Sequence, residues 1–425
     1  MAVVIFFADM LRANLMFSST AKSRRTSLEE LLTTYGGTFF TNCITSGPDT
    51  PRSTGILFSS KLPKESGLSS RSQWPGPHFG REGDTLFSWA LANGAVLKVV
   101  DPSLDHAGLF FPQEVQALAD FFPDLESIKP TFQGGDCDTL EIIFVVSNSY
   151  HDEVDKKSGH KSAHETGSER IAQELKDVVD TFSLGSGDFL FLYSDHGCKL
   201  SNDSYDAISL LNRDRSQVVF YQTAFNSAEI EFTDSLYSVV DLATIISTKL
   251  KSLIVKRELS KVHVASLPRP RQFVHVEDHE AYSTKIGDSV TRWAVFSSEF
   301  EYFEVLGKDP VVNFLVQGKS MGLAEATTTA QDFLRKYATN YASFNQQLES
   351  LTKGFSALPE VQRQAWETQN SNQPNLKKYG KVTELFWRMR TAPVSLLRRL
   401  VIQKGLVLKG KSLVPKTGSG QKIIT

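Results

Sequence analysis

Two side chains able to share a cation stand together at Asp195 and His196, a hard carboxylate oxygen beside a borderline imidazole nitrogen. They follow Phe189–Tyr193, five apolar and aromatic residues without a polar break, the pattern of a strand buried on both faces of a parallel sheet. In open α/β sheets ligands bind beyond the carboxyl ends of the strands. The corner Ser194-Asp195-His196-Gly197 therefore either binds something or simply turns the chain. A second corner of this kind lies at the N-terminus, where Val3–Phe7 reads as a buried strand and Asp9 stands just past its end. On local residues alone Asp9 reads as the N-cap of the next segment.

A third candidate is Thr50. After the turn-forming Gly47-Pro48-Asp49, the pattern predicts a helix over Thr50–Phe58, with Pro51 at a position where its missing N–H costs nothing. A hydroxyl there faces unpaired amides and the positive end of the helix dipole, where an anionic group binds; a helix cap fits the same position. Arg52 can clamp a phosphoryl oxygen or form a structural salt bridge. Three of the nine histidines, His151, His160 and His164, fall in residues 151–164 with Asp152 and Asp155, after the strand-like Leu140–Val146. That stretch is either part of a site or a solvated charged loop.

The three corners in this order resemble the alkaline-phosphatase superfamily in its sulfatase-like branch. The residues that carry the resemblance are Asp9, Phe40-Thr41-Asn42 with Thr45-Ser46, Thr50, and Ser194-Asp195-His196-Gly197, all within roughly residues 1–260. The resemblance implies a divalent metal (Mn, Zn, Mg or Ca) held by Asp9, Asp195, His196 and Thr50, with Thr50 as nucleophile. It also implies an auxiliary histidine, one of His151, His160 and His164, with Ser158-Gly159-His160 the nearest match to the family's segment, and Arg52 as an oxyanion contact. Sulfatases carry a Cys or Ser that becomes formylglycine. Here the segment is Asp49-Thr50-Pro51-Arg52-Ser53, which is similar instead to phosphoethanolamine and phosphoglycerol transferases, and Phe58-Ser59 follow at those enzymes' spacing. Where that family has a Lys or His after the SDHG strand, this chain has Asn212-Arg213-Asp214-Arg215, so an arginine takes the phosphate-facing position. The expected activity is metal-dependent phosphoryl transfer. A sulfate ester hydrolase and an inactive scaffold are the alternatives.

Elements able to position these residues are legible. Ser27–Thr34 reads as a helix with a Ser27/Glu30 capping box, closed by Gly36-Gly37. Strands are expected at Thr38–Cys43, Val96–Val100 and Val218–Tyr221, and helices at Asp84–Ala92, Pro112–Phe122, Glu169–Phe182 and along Phe232–Ile246. Alternation of such segments predicts a doubly wound, mostly parallel α/β sheet flanked by helices. The expected organisation is a catalytic domain over 1–260, a small C-terminal β subdomain over 261–320 with a hairpin at Thr291–Val305, a helical extension over 321–375 and a helical basic tail over 376–425.

Composition limits the class. The 425 residues contain three cysteines, no CxxC and no apolar run near the ~18 residues of a membrane span, so a reduced, cytoplasmic setting is expected. MAVVIFFADMLR lacks the basic start of a signal peptide. Twelve of the 46 Lys/Arg but one of the 48 Asp/Glu fall in residues 376–425. With Trp387 and interleaved leucines, that tail reads as a contact for an anionic membrane surface or as a helix packed on the acidic remainder. No nucleic-acid-binding signature is present. The resemblance implies a small-molecule, lipid or glycan phosphoester as the substrate class.

Overall fold

The structure is a computed structural model that describes residues 2–17, 25–62, 85–102, 111, 113–132, 139–157, 160, 162–198, 200, 211–256, 267–271, 273–278, 292–297, 300–305, 311–314, 406–409 and 412–415. The main sheet comprises β1 (Ala2–Ala8), β2 (Gly37–Ile44), β3 (Val96–Val100), β4 (Asp120–Phe122), β5 (Glu141–Ser147), β6 (Phe189–Tyr193), β7 (Gln217–Thr223), β8 (Ile230–Thr233) and β9 (Tyr237–Ser238). Its order is β4-β3-β5-β1-β6-β7-β2-β8, with β9 beside β2. Only β7 runs antiparallel to its neighbours.

Strand β1 explains the architecture. All seven of its residues are buried, and they divide by alternation: Val3, Ile5 and Phe7 enter one apolar cluster, while Ala2, Val4, Phe6 and Ala8 enter another. A strand covered on both faces needs no polar register, which is why its sequence is an unbroken apolar run. Helices α1 (Ser27–Tyr35), α2 (Thr50–Ser59), α3 (Leu86–Ala92), α4 (Gln113–Leu118), α5 (Leu125–Ile128), α6 (Ser149–Lys156), α7 (Ser162–Thr181), α8 (Arg213–Ser216) and α9 (Val239–Lys256) supply the cover. Ile56 and Phe58 of α2, Phe87 of α3 and Leu242, Ile246 and Leu250 of α9 fill the first cluster; Leu28, Tyr150, Ile171 and Leu175 of α1, α6 and α7 fill the second. The doubly wound sheet expected from the alternating pattern is the observed fold.

A second, antiparallel sheet runs β10 (Phe273–Asp278), β11 (Arg292–Ser297), β12 (Phe300–Val305) and β13 (Val311–Phe314) in sequence order. Val274, Val276, Ala294, Phe296 and Phe303 from it form a third cluster with Ile44, Leu211 and Leu236 of the main domain. Contacts divide the chain into a unit over Met1–Asp332 and another over Phe333–Thr425.

Five local expectations change. The helix expected along Phe232–Ile246 begins only at Val239, because Ile230–Thr233 and Tyr237–Ser238 pair with β2 as strands. The capping box of α1 sits one residue earlier, at Thr26 and Glu29, because Thr26 has the extended backbone a cap needs and bonds reciprocally with Glu29. The 112–122 stretch is not one helix: α4 ends at Leu118, and Asp120–Phe122 pairs with β3 as an edge strand. In the histidine-bearing stretch His151 and His164 stand on helices, Ser149–Lys156 and Ser162–Thr181, while His160 lies between them outside both. Within the basic tail, the described residues are not helical. Strands β14 (Leu406–Lys409) and β15 (Ser412–Pro415) make an antiparallel hairpin, as the apolar Leu-Val-Leu and Leu-Val runs flanking Gly410 favour. The Ser66–Gly80 loop, the 321–375 extension and the amphipathic 385–401 segment lie outside the described residues.

Candidate active site

Sheet register brings two acids together. Parallel β1 and β6 are neighbours with Phe7 opposite Tyr193, so two residues further along each strand lie Asp9 and Asp195. Strand β2 runs in the same direction as β6, since both are antiparallel to β7, and its carboxyl end leads into α2 and Thr50. Three chain segments therefore converge beyond one edge of the sheet, where an open α/β fold places its ligand site. Ligand-capable atoms of Asp9, Asp195 and His196, all three residues buried, lie within 4.8 Å of one another.

The backbone is committed to this arrangement. Asp9 N–H donates to the Ser147 carbonyl of β5 at 3.0 Å. Met10 adopts a positive φ of 63°, unusual for a residue with a Cβ, and thereby delivers its N–H to Asp195 Oδ1 at 3.1 Å. Asp195 Oδ1 also accepts from His196 N–H at 2.8 Å. Asp195 Oδ2 receives no backbone donor and lies 3.2 Å from His196 Nε2.

His196 fixes the chemistry of that encounter. Its Nδ1 lies 2.7 Å from the Gly197 carbonyl, which can only accept, so Nδ1 carries the proton and Nε2 presents a lone pair. Burial, reinforced by the Arg215 guanidinium, holds the imidazole pKa down at about 3, so the ring is neutral. Burial and then the Asp9 charge push the Asp195 carboxyl up to about 8, with the Thr50 hydroxyl and the two amides acting the other way. A lone pair of neutral imidazole facing a buried carboxylate oxygen, with a second carboxylate alongside, is mutually repulsive until something positive lies between them. The donor set of two carboxylates, one imidazole and one hydroxyl fits a divalent cation.

Thr50 stands at this cluster, with Oγ1 3.3 Å from His196 Nε2. It is not the cap of α2. Asp49 is, accepting from Arg52 N–H at 3.1 Å with its side chain and from Ser53 N–H at 2.9 Å with its carbonyl. Pro51 has no N–H and those two amides are taken, so the cup of free amides expected in the first turn is not found. Helix α2 is anchored at its other end by Phe58, fully buried against Phe87, Phe111 and Phe144 at ring separations of 4.8, 5.1 and 5.5 Å. Behind Thr50, buried hydroxyls of Thr45, Ser53 and Tyr193 form a chain with links of 2.8 and 2.6 Å.

The remaining sequence candidates divide. Arg52 is 2% exposed and pairs with Asp49, Nε to Oδ2 at 2.6 Å, which balances the cap's charge beside the site. The contact the structure shows for Arg52 is thus the salt bridge. His151, third in α6, reaches the site: Nδ1 lies 3.0 Å from Asp9 Oδ2 and Nε2 3.4 Å from Asp155 Oδ2. His160 is exposed, and its described bonds are local, to the hydroxyl and N–H of Ser162 at 2.8 and 3.2 Å. His164 is buried 3.0 Å from the Tyr150 hydroxyl, and desolvation holds its pKa down to about 4. Arg215 is the arginine of the 212–215 segment that comes to the site, donating to the carbonyls of Pro48 at 3.0 Å and Gly197 at 3.3 Å. The Asp49 cap was the residue least legible in sequence, although an Asp directly before a Thr-Pro helix start is a capping signal.

No protein-family model matches the sequence, and neither does any curated protein. Solved structures do match. A 2-O GAG sulfatase superposes with a TM-score of 0.55 at 12% identity, over 80% of this chain and 93% of its own. A protein solved with its substrate D-glucosamine-2-N,6-O-disulfate gives 0.54 at 8% identity, over 80% and 98%. The phosphonate monoester hydrolase of Silicibacter pomeroyi gives 0.51 at 12% identity, over 80% and 95%. This chain has the sulfatase fold. The resemblance to the sulfatase branch of the alkaline-phosphatase superfamily read from the sequence thus holds at the level of the fold.

Proposed function

We propose that this chain is a metal-dependent phosphoryl-transfer enzyme, a phosphodiester hydrolase or phospho-group transferase, with Thr50 as nucleophile. The observation that carries this reading is the Thr50 hydroxyl at the first position of α2, 3.3 Å from the lone pair of a neutral His196 and beside two buried carboxylates. Neither Cys nor Ser occupies position 50, so formylglycine chemistry has no precursor there. Asp9, Asp195, His196 and Thr50 would hold the cation, which would lower the pKa of a coordinated hydroxyl and offset charge on a phosphoryl group.

The chain's own residues supply the rest. Tyr193, Ser53 and Thr45 stiffen the helix turn that carries Oγ1. In the first half-reaction Oγ1 bonds to phosphorus, its proton leaves to solvent, the ester P–O bond breaks and the departing alkoxide takes up a proton. In the second, water or an acceptor alcohol attacks the phospho-Thr50, and Oγ1 departs and is reprotonated. Arg215 faces the non-bridging oxygens, and His151 steadies Asp9. Sulfate ester hydrolysis is the second reading, motivated by the sulfatases among the fold's neighbours. In the described residues no helix is long and apolar enough to cross a membrane. We place the enzyme on the cytoplasmic face of an anionic membrane, held by the basic 376–425 tail and acting on a lipid-linked or glycan phosphoester; sedimentation with anionic and not neutral vesicles is the result this requires.

The deciding experiment compares an aryl phosphodiester with an aryl sulfate, in Mn²⁺, Zn²⁺ or chelator, for wild type and Thr50→Ala. Metal-dependent diester cleavage lost in Thr50→Ala supports the reading. Sulfate cleavage moves the assignment to sulfatase chemistry, and a protein that takes up no metal is a scaffold.

A further inference from the structure

Helix α8 is four residues long, yet each of its first three side chains serves a different part of the molecule. Arg215 reaches the site through the Pro48 and Gly197 carbonyls, and its own carbonyl accepts from Gly197 N–H at 2.8 Å. Asp214 accepts from Asn14 at 2.6 Å and pairs with Arg12, three residues beyond Asp9. Arg213 points to the second sheet. It pairs with Glu301 of β12, donates to the Ser297 carbonyl at 3.4 Å, lies 5.5 Å from the centre of the Phe296 ring, and donates to Asn42 of β2 at 2.7 Å. The apolar cluster of that sheet rests on Ile44, which leads toward Thr50, and on Leu211, which leads into α8. Glu301 is buried, so its carboxylate is not a solvated surface charge but a fixed partner for a fork-shaped guanidinium.

We infer that the second sheet sets the position of Arg215, and that Glu301, acting through Arg213, is a positioning residue for it. A turn this short cannot absorb the loss of one tether internally. If Glu301 stops holding Arg213, the partly buried cation must find new partners, and α8 shifts with Arg215 on it. The inference on geometry stands without any substrate. Its consequence for turnover rests on the proposed phosphoryl-transfer reading, in which Arg215 faces the transferring group.

The test has two arms on the full chain. In the first, phenylglyoxal modification of individual arginines is timed by peptide mass spectrometry in wild type, Glu301→Gln and Arg213→Lys, with near-UV circular dichroism confirming folding. Arg215 is expected to react several-fold faster in both variants while the buried Arg52 is unchanged. An unchanged Arg215 rate in variants that fold overturns the inference, and so does equal acceleration at Arg52, which would mean general loosening. Two variants are used so that one that fails to fold does not remove the test. In the second arm, Glu301→Gln is expected to raise KM for an aryl phosphodiester with kcat retained, and to have no further effect in an Arg215→Ala background. An additive effect there overturns action through Arg215. Faster Arg215 modification in a protein whose wild type cleaves no diester would sink the proposed function and leave the positioning role standing.

Discussion

Asp195 and His196 are common residue types made unusual by what surrounds them. The metal-free folded protein keeps a proton on Asp195 up to about pH 8, whereas an unfolded chain releases it near the ordinary value of 3.8. A folded-state pKa raised in this way makes stability fall as pH rises between the two values. His196 works in the opposite sense, but only below its ordinary 6.5, above which it is neutral in both states. Between pH 6.5 and 8 the Asp195 proton therefore acts without opposition from His196. The metal-free protein should lose stability as pH rises through this window, by at most about 1.4 kcal/mol per unit. Because a cation replaces that proton, the Tm gain on adding Mn²⁺ or Zn²⁺ should grow over the same range. Calorimetry with metal and with chelator at several pH values checks this, and a gain that shrinks toward pH 8 would contradict it. On the proposed mechanism Thr50→Ala should lower diester turnover by roughly 10³-fold or more, because it removes the proposed attacking oxygen, while Thr50→Ser retains a measurable share.

The elements carry their own predictions. Asp49 both caps α2 and pairs with the buried Arg52, so Asp49→Ala removes a cap and a buried ion-pair partner together and should cost more than the ~1 kcal/mol of a cap alone. Asp49→Asn keeps the cap and loses only the charge pairing, so urea unfolding should place it between Asp49→Ala and wild type. Gly197 is required for closeness: an added Cβ would stand 1.9 Å from the Asp214 carbonyl of α8. Gly197→Ala should therefore displace α8 and Arg215, reducing turnover more than it reduces metal content. Equal losses of both, read by steady-state kinetics and metal analysis, would point instead to collapse of the His196 corner.

At the scale of the whole molecule, every described site residue and both large sheets lie within Met1–Asp332. A protein ending at Asp332 should fold, bind metal and turn over a soluble diester with kcat near that of the full chain. If residues 333–425 serve a membrane, the loss should appear only in vesicle binding and in turnover of membrane-borne substrate. Loss of turnover on the soluble substrate would assign the tail to the catalytic unit.

Much of this was determined by local sequence. Unbroken apolar runs such as Ala2–Ala8 and Phe189–Tyr193 admit little but strands covered on both faces, and the helices between them arise from 3.6-residue periodicity. The order of Asp9, Thr50, Asp195 and His196 along the chain, each beyond a strand or at a helix start, carried the resemblance from which the metal and nucleophile candidates were named. What sequence left open were questions of contact between distant segments. Whether Arg52 clamps a ligand or balances Asp49, and whether His151 or His160 joins the site, depends on which partners the fold brings within reach. Spacing alone places a residue on an element and not against its neighbours. The same holds for the pKa values of Asp195 and His196, which arise from burial and from charges on distant segments of the chain, and for α8, whose role exists only because a second sheet lands on it. Register and helix periodicity are short-range and therefore written locally; desolvation and pairing across the fold are decided only when the chain is packed.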